Sequence, residues 1–214
     1  GRTKTAPGAG STRAVKYAAI NCNDYVGRYF NVLRHLTERE QDSIDFVLNL
    51  GDYVYETTGD ASFQTTTPDR AMVFSNPGEA INLGSGNYAA QSVGNYRDIY
   101  KTIRQDPQLQ RVHELFPMIS IWDDHEFSDD NWKDNATYFD GKVNEQQTAR
   151  KRNGEKAWME FLPTERGLAA SGTALEIDAA DLYPNTVIYD AFNFGTNLDL
   201  ILSDIRTNRA DHLI

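Results

Sequence analysis

One cysteine in 214 residues, Cys22, excludes an intrachain disulfide and leaves the redox compartment open. No stretch approaches the roughly 18 to 20 consecutive apolar residues that a transmembrane helix needs. The N-terminal GRTKTAPGAGSTR is polar and carries no apolar core of a signal peptide. Basic residues are outnumbered, 21 Lys and Arg against 31 Asp and Glu, for a net charge of -10. That balance argues against a general nucleic-acid surface, because phosphate backbones demand an excess of Lys and Arg. There is no phosphate-cradling GxxxxGK[ST], no GxGxxG and no Ser or Cys nucleophile motif. Internal repeats and low-complexity tracts are also missing. With 40% hydrophobic and 24% charged residues, the composition is that of a soluble globular protein, and 214 residues can hold one large domain or two small ones.

What is present is concentrated at the ends of apolar runs. Ile119 to Asp130, ISIWDDHEFSDD, begins as a buried strand and stops at Asp123, Asp124, His125 and Glu126. Residues 45 to 50, DFVLNL, do the same and end in Gly51, Asp52, Tyr53, Val54, Tyr55 and Glu56. A first strand at 15 to 21 ends at Cys22. Apolar residues at Val26, Tyr29, Phe30, Leu33 and Leu36 follow helical spacing between the first two strands. This β-α-β order predicts adjacent parallel strands with Cys22 and Asp52 at one edge. In open α/β sheets ligands bind at the carboxyl ends of strands, so Asp52 and Asp124 are expected to converge beside His125.

The rest of the chain reads as helices at 95 to 104, 107 to 115 and 145 to 161, with strands at 186 to 194 and 198 to 202. Two polar excursions, 57 to 93 and 127 to 143, interrupt this pattern, and loops of that length in a compact domain are commonly functional.

Each candidate has a plainer reading. Asp in a G-D-Y turn is most often a cap or turn residue, Cys22 alone is a small buried hydrophobe, and Tyr96 is an amphipathic helix residue. His35 and His113 fall inside helices as surface or capping residues, and His212 is too near the end to place. The Asp-Asp-His-Glu cluster resists such a reading, because buried charge is costly unless paired or metal-bound. Without a side-chain nucleophile motif, a metal-activated water is the more economical nucleophile.

In order along the chain, a strand ending in Cys22, NLGDYVYE, NYRDIYKTIRQDPQLQRVHELFPMISIWDDHE, TARKRNGEKAWMEFLP and LILSDIRTNRAD resemble the PhoD-like alkaline phosphatase family of the metallophosphoesterase superfamily. The resemblance runs from about Ala14 to Asp211. It implies the N-terminal part of an α/β, four-layer αββα sandwich, with 1–13 a polar segment and 14–214 the catalytic domain. It also implies an Fe(III) and Ca(II) site, with Cys22 and Tyr96 as iron ligands, Asp52 as the bridging carboxylate and Asp124 on the calcium side. His125 would stand beside the transferring phosphoryl group, while Asp123 and Glu126 would hold His125 and the neighbouring loops. The implied activity is hydrolysis of phosphate esters, as a phosphomonoesterase or phosphodiesterase, in an extracellular or periplasmic location. The family completes its site with a downstream G-D-V-H type segment, so a C-terminal partner chain from the same precursor is expected to supply an Asp and a His. The rival expectation is a non-catalytic binding or assembly chain that keeps the fold without those ligands.

Overall fold

A computed structural model of the chain describes residues 1–59, 68–136, 145–162 and 177–211. Residues 60–67 and 137–144 of the two excursions, together with His212, lie outside the described residues.

Three short strands, β1 (Tyr17–Ile20), β2 (Phe46–Asn49) and β6 (Met118–Ser120), form a parallel sheet in the order β1-β2-β6. Central β2 is buried along its whole length, which is why its sequence is a continuous apolar run without alternation. The crossover from β1 to β2 is helix α1 (Asn31–Glu40). It starts later than the apolar spacing predicts, leaving Val26, Tyr29 and Phe30 in the preceding loop.

Helix α2 (Val93–Ile103) buries Tyr96, Ile99, Tyr100 and Ile103, a spacing of three and four that puts all four on one face. Its start is fixed by a reciprocal cap in which Ser92 Oγ accepts from the Asn95 amide and Asn95 Oδ1 accepts from the Ser92 amide, both at 3.2 Å. Helix α3 (Pro107–Leu115) has Pro107 in its first turn and Asp106 as cap. The Asp106 carboxylate also meets Arg70 at 2.7 Å in a buried ion pair. Helix α4 (Thr148–Phe161) packs against α2.

The excursion after residue 57 contains more order than its composition suggests. Strands β3 (Thr57–Thr58), β4 (Ile81–Gly84) and β5 (Asn87–Ala89) pair as a small antiparallel sheet in the order β3-β5-β4. Strands this short and rich in Thr, Asn and Gly give too few residues to show an alternating pattern. The hairpin of β7 (Asp190–Phe194) and β8 (Leu198–Leu202) lies against the parallel sheet. Phe194 stacks on Phe46 with ring centroids 4.8 Å apart, and Phe46 stacks on Tyr17 at 5.1 Å. Because β1, β2 and β6 run parallel, the residues that follow them emerge at one edge, and that edge carries the site.

Candidate metal centre

Three segments meet beyond the strand ends: Cys22 after β1, Gly51 to Glu56 after β2, and Trp122 to Asn131 after β6. The Cys22 amide donates to the Gly51 carbonyl at 3.4 Å and the Asn23 amide to the Asp52 carbonyl at 2.8 Å, so the first two are tied by backbone. The second and third touch where Gly51 adopts φ +102°; a Cβ there would fall on the Asp123 amide nitrogen and 2.7 Å from the Trp122 carbonyl carbon. Only glycine serves such a position.

Glu126 joins the segments from beneath. Its buried carboxylate accepts from the amides of Asp52 at 3.1 Å, Tyr53 at 2.6 Å and Asp123 at 2.9 Å. Burial, with the Asp52 charge beside it, pushes the Glu126 carboxyl up to about 8 against the pull of those three donors.

Asp52, Asp124 and His125 bring a ligand atom each to within 4.8 Å of one another. Cys22 and Asp52 both hold left-handed backbone, with φ of 53° and 50°, a conformation that non-glycine residues keep only when the surroundings enforce it. It aims Cys22 Sγ at Asp52 Oδ2, 3.4 Å away. Cys22 is exposed rather than the buried hydrophobe of its plainer reading. Its thiol is raised by burial of the sulfur and by the Asp52 charge. Burial also raises the Asp52 carboxyl, to about 6, with His125 opposing and Asp124 and Asp123 adding. For His125, burial favours the neutral ring, but the Glu56, Asp124 and Asp52 carboxylates outweigh it and hold the imidazole up to about 10.

For Tyr96, to which the resemblance gives an iron-ligand role, the structure shows a hydroxyl engaged by the backbone. Its hydroxyl is fully buried and donates to the Phe127 carbonyl at 2.7 Å. The ring packs against Gly154 of α4, where any Cβ would stand 3.4 Å from it. Burial raises this phenol far above its ordinary range, with Arg150 opposing. Tyr96 is therefore the core residue that its helical spacing describes. The tyrosine at the cluster is Tyr55, whose side chain hydrogen-bonds Cys22 and whose ring lies 4.3 Å from that of His125. Burial raises the Tyr55 phenol as well, and the Asp52 and Cys22 charges add to it.

Other residues carry weight here that sequence reasoning did not assign. Glu56 Oε2 lies 2.7 Å from His125 Nδ1. Arg206, from the LILSDIRTNRAD stretch, reaches back to Asp123 Oδ1 at 2.5 Å and Asp124 Oδ1 at 3.4 Å. Asp130 donates its amide to Asp124 Oδ2 at 2.6 Å, and Asp124, Asp129 and Asp130 form a second acidic group. His113, expected on a helix surface, instead pairs with the buried Tyr53 hydroxyl at 2.8 Å and so anchors the residue after Asp52.

The donor set fits a metal ion. Asp52 Oδ1 is buried and has no hydrogen-bond partner among the described residues, an arrangement that is costly unless a cation takes the lone pairs. The Cys22 thiol meets Asp52 at Oδ2, Tyr55 bonds that thiol, and Asp124 brings a carboxylate oxygen within 4.8 Å.

Residues 17–214 match the PhoD-like phosphatases. The chain belongs to that family. It is 26% identical over 212 residues to alkaline phosphatase D of Bacillus subtilis (strain 168), covering 99% of this chain and 31% of the relative. In fold it is similar to a solved structure described as "Structure of PhoD", with a TM-score of 0.72 and 22% identity, covering 99% of this chain and 35% of that one. The α/β class expected from the sequence is therefore the fold of a PhoD structure over nearly the whole chain, and a part of that fold. At 31% and 35%, the chain spans about a third of the length of the relatives it matches. Among the described residues no helix is long and apolar enough to cross a membrane.

Proposed function

We propose that this PhoD-like chain carries a centre for the metal-dependent hydrolysis of phosphate esters, monoesters or diesters, and the observation that carries the reading is the convergence of Asp52, Asp124 and His125 around the unpartnered Asp52 Oδ1. Cys22 and Tyr55 offer the thiolate and phenolate that suit Fe(III), with Tyr55 taking the place that the resemblance gave to Tyr96. Asp124 offers the oxygen donors that suit Ca(II), and Asp52, with two carboxylate oxygens, is placed to serve both ions. When bound, such a pair of cations polarises a phosphoryl oxygen and lowers the pKa of an attacking water.

The chain's own groups do the remainder. His125 presents its ring to the carboxylate cluster, where an N–H can stabilise or protonate an oxygen of the phosphoryl group. Glu126 keeps Asp52 and Asp123 at their spacing through three backbone bonds. Arg206 offsets the charge of Asp123 and Asp124.

The extracellular or periplasmic location and an Asp-x-His segment contributed from outside these 214 residues belong to the same proposal. Their support is the family match and the third of the relatives' length that the chain spans.

The test is His125→Ala in the purified protein that contains this chain, assayed on 4-nitrophenyl phosphate and bis(4-nitrophenyl) phosphate. Turnover should fall by roughly two to four orders of magnitude, the scale of a positioned acid or base, while metal content stays at the wild-type level. A wild-type protein inert toward both esters would refute the reading. Loss of metal in the variant would make His125 a ligand instead.

A further inference from the structure

We infer that Glu56 is the positioning residue of this centre: its carboxylate fixes the His125 ring, and with it the nitrogen that faces the reacting phosphate. This rests on the function proposed above and adds a residue to it.

Glu56 is fully buried at the end of the GDYVYE turn and faces a residue 69 positions further along the chain. Its Oε2 lies 2.7 Å from His125 Nδ1. Its other oxygen, Oε1, accepts the backbone amide of Asp129, also at 2.7 Å. One carboxylate therefore grips both the imidazole and the loop that follows it. The Glu56 carbonyl in turn accepts from the Ala90 amide at 2.8 Å, which ties the residue to the small antiparallel sheet. The Glu56 backbone is thus also held from outside the strand-end loops.

The consequence is a defined ring orientation. The hydrogen bond to Glu56 Oε2 makes Nδ1 the ring nitrogen turned toward the buried carboxylate. The other ring nitrogen, Nε2, lies 3.5 Å from Asp129 Oδ1, and Asp52 and Asp124 stand within 4.8 Å of a His125 nitrogen. Tyr55 closes one face of the ring at 4.3 Å between centroids. With a face and one nitrogen both occupied, the imidazole has little freedom to turn, and such orienting partners commonly contribute 10- to 100-fold to the activity of the group they hold.

Glu56→Gln isolates this role. The amide can keep its carbonyl oxygen on the Asp129 amide and so preserve the loop, but its NH2 then faces Nδ1. A donor then stands where the carboxylate oxygen stood, and the ring loses the contact that fixes its orientation. The variant should retain the wild-type melting temperature within a few degrees, its metal content and its KM, while kcat on 4-nitrophenyl phosphate falls roughly 10- to 100-fold.

A structural role is separated by repeating the substitution in a His125→Asn background. If Glu56 acts through His125, Glu56→Gln changes the residual kcat there by no more than about twofold, the margin within which uncoupled sites add. Equal losses in both backgrounds, or loss of metal in the single variant, would overturn the inference. If the Gln variant does not fold, Glu56→Asp, which keeps the charge but withdraws it by one methylene, goes through the same cycle with the same criteria. An active wild type with additive losses removes this inference alone. An inert wild type removes the functional reading and this inference together.

Discussion

Tyr55 and His125 lie ring to ring, centroids 4.3 Å apart and planes tilted by 41°, and the same tyrosine hydrogen-bonds the Cys22 thiol. One aromatic side chain thus links the sulfur at the end of β1 to the histidine that follows β6. Tyr96, on the buried face of α2, makes neither contact; its hydroxyl goes to the Phe127 carbonyl.

The two tyrosines are separated by spectroscopy. A phenolate bound to Fe(III) gives a charge-transfer band in the visible range, so the iron-loaded protein should absorb there. Tyr55→Phe should abolish the band and Tyr96→Phe should leave it in place. The Tyr96 variant should show its effect in stability, since a buried hydroxyl donating to a carbonyl contributes about 1 kcal/mol. A band that survives Tyr55→Phe and vanishes in Tyr96→Phe would restore the assignment suggested by family resemblance.

Removing metal should make stability fall as pH rises. The Asp52 carboxyl is held up to about 6, Glu126 to about 8 and His125 to about 10, each above its ordinary value of 3.8, 4.5 and 6.5. A group raised in the folded state contributes stability that is complete below its unfolded value and is lost as pH rises through its folded value. All three therefore act in one direction across neutrality. Asp45, whose carboxyl is lowered, opposes them only at acid pH. Chelator-treated protein should melt at a higher temperature at about pH 5 than at about pH 9, and added metal should shrink the difference by stabilising the ionised carboxylates. Thermal melts across that range, with and without metal, check this; an opposite slope in the metal-free protein would show that the carboxylates are not desolvated as described.

Gly51→Ala should damage the centre without touching a ligand. The new methyl would meet backbone and not a flexible side chain, at the Asp123 amide and the Trp122 carbonyl carbon, and alanine resists φ +102°. Overpacking of this kind costs about 1 to 3 kcal/mol, and more where backbone must move. Urea titration should show the loss, and metal content should fall with it because Asp52 is the next residue. A variant with wild-type stability and full metal would mean that the two loops are further apart than this geometry has them.

Much of this arrangement is legible from local pattern. Apolar runs broken by Asp52 and by Asp123 to Glu126 mark parallel strands whose ends converge, and the structure joins Asp52, Asp124 and His125 there. The choice between Tyr55 and Tyr96 is not legible in the same way. Both follow or open recognisable motifs; helical spacing describes Tyr96 as a core residue, but only its bond to the Phe127 carbonyl shows where its hydroxyl goes. Glu56 and Arg206 bond partners 69 and 83 residues away, separations at which periodicity carries no information. The β3-β5-β4 sheet is hidden for another reason, since its strands have two to four residues each.

The most direct test of the central claim compares Asp52→Asn with Asp123→Asn in the protein containing this chain, reading metal content by elemental analysis and turnover on 4-nitrophenyl phosphate. Asp52 Oδ1 is buried without a hydrogen-bond partner among the described residues, whereas Asp123 is engaged by Arg206 at 2.5 Å. If Asp52 bridges a cation pair, Asp52→Asn should lose both metal and activity, while Asp123→Asn keeps its metal and most of its rate. Equal and mild losses in the two variants, or stoichiometric zinc and no iron in the wild type, would contradict the account.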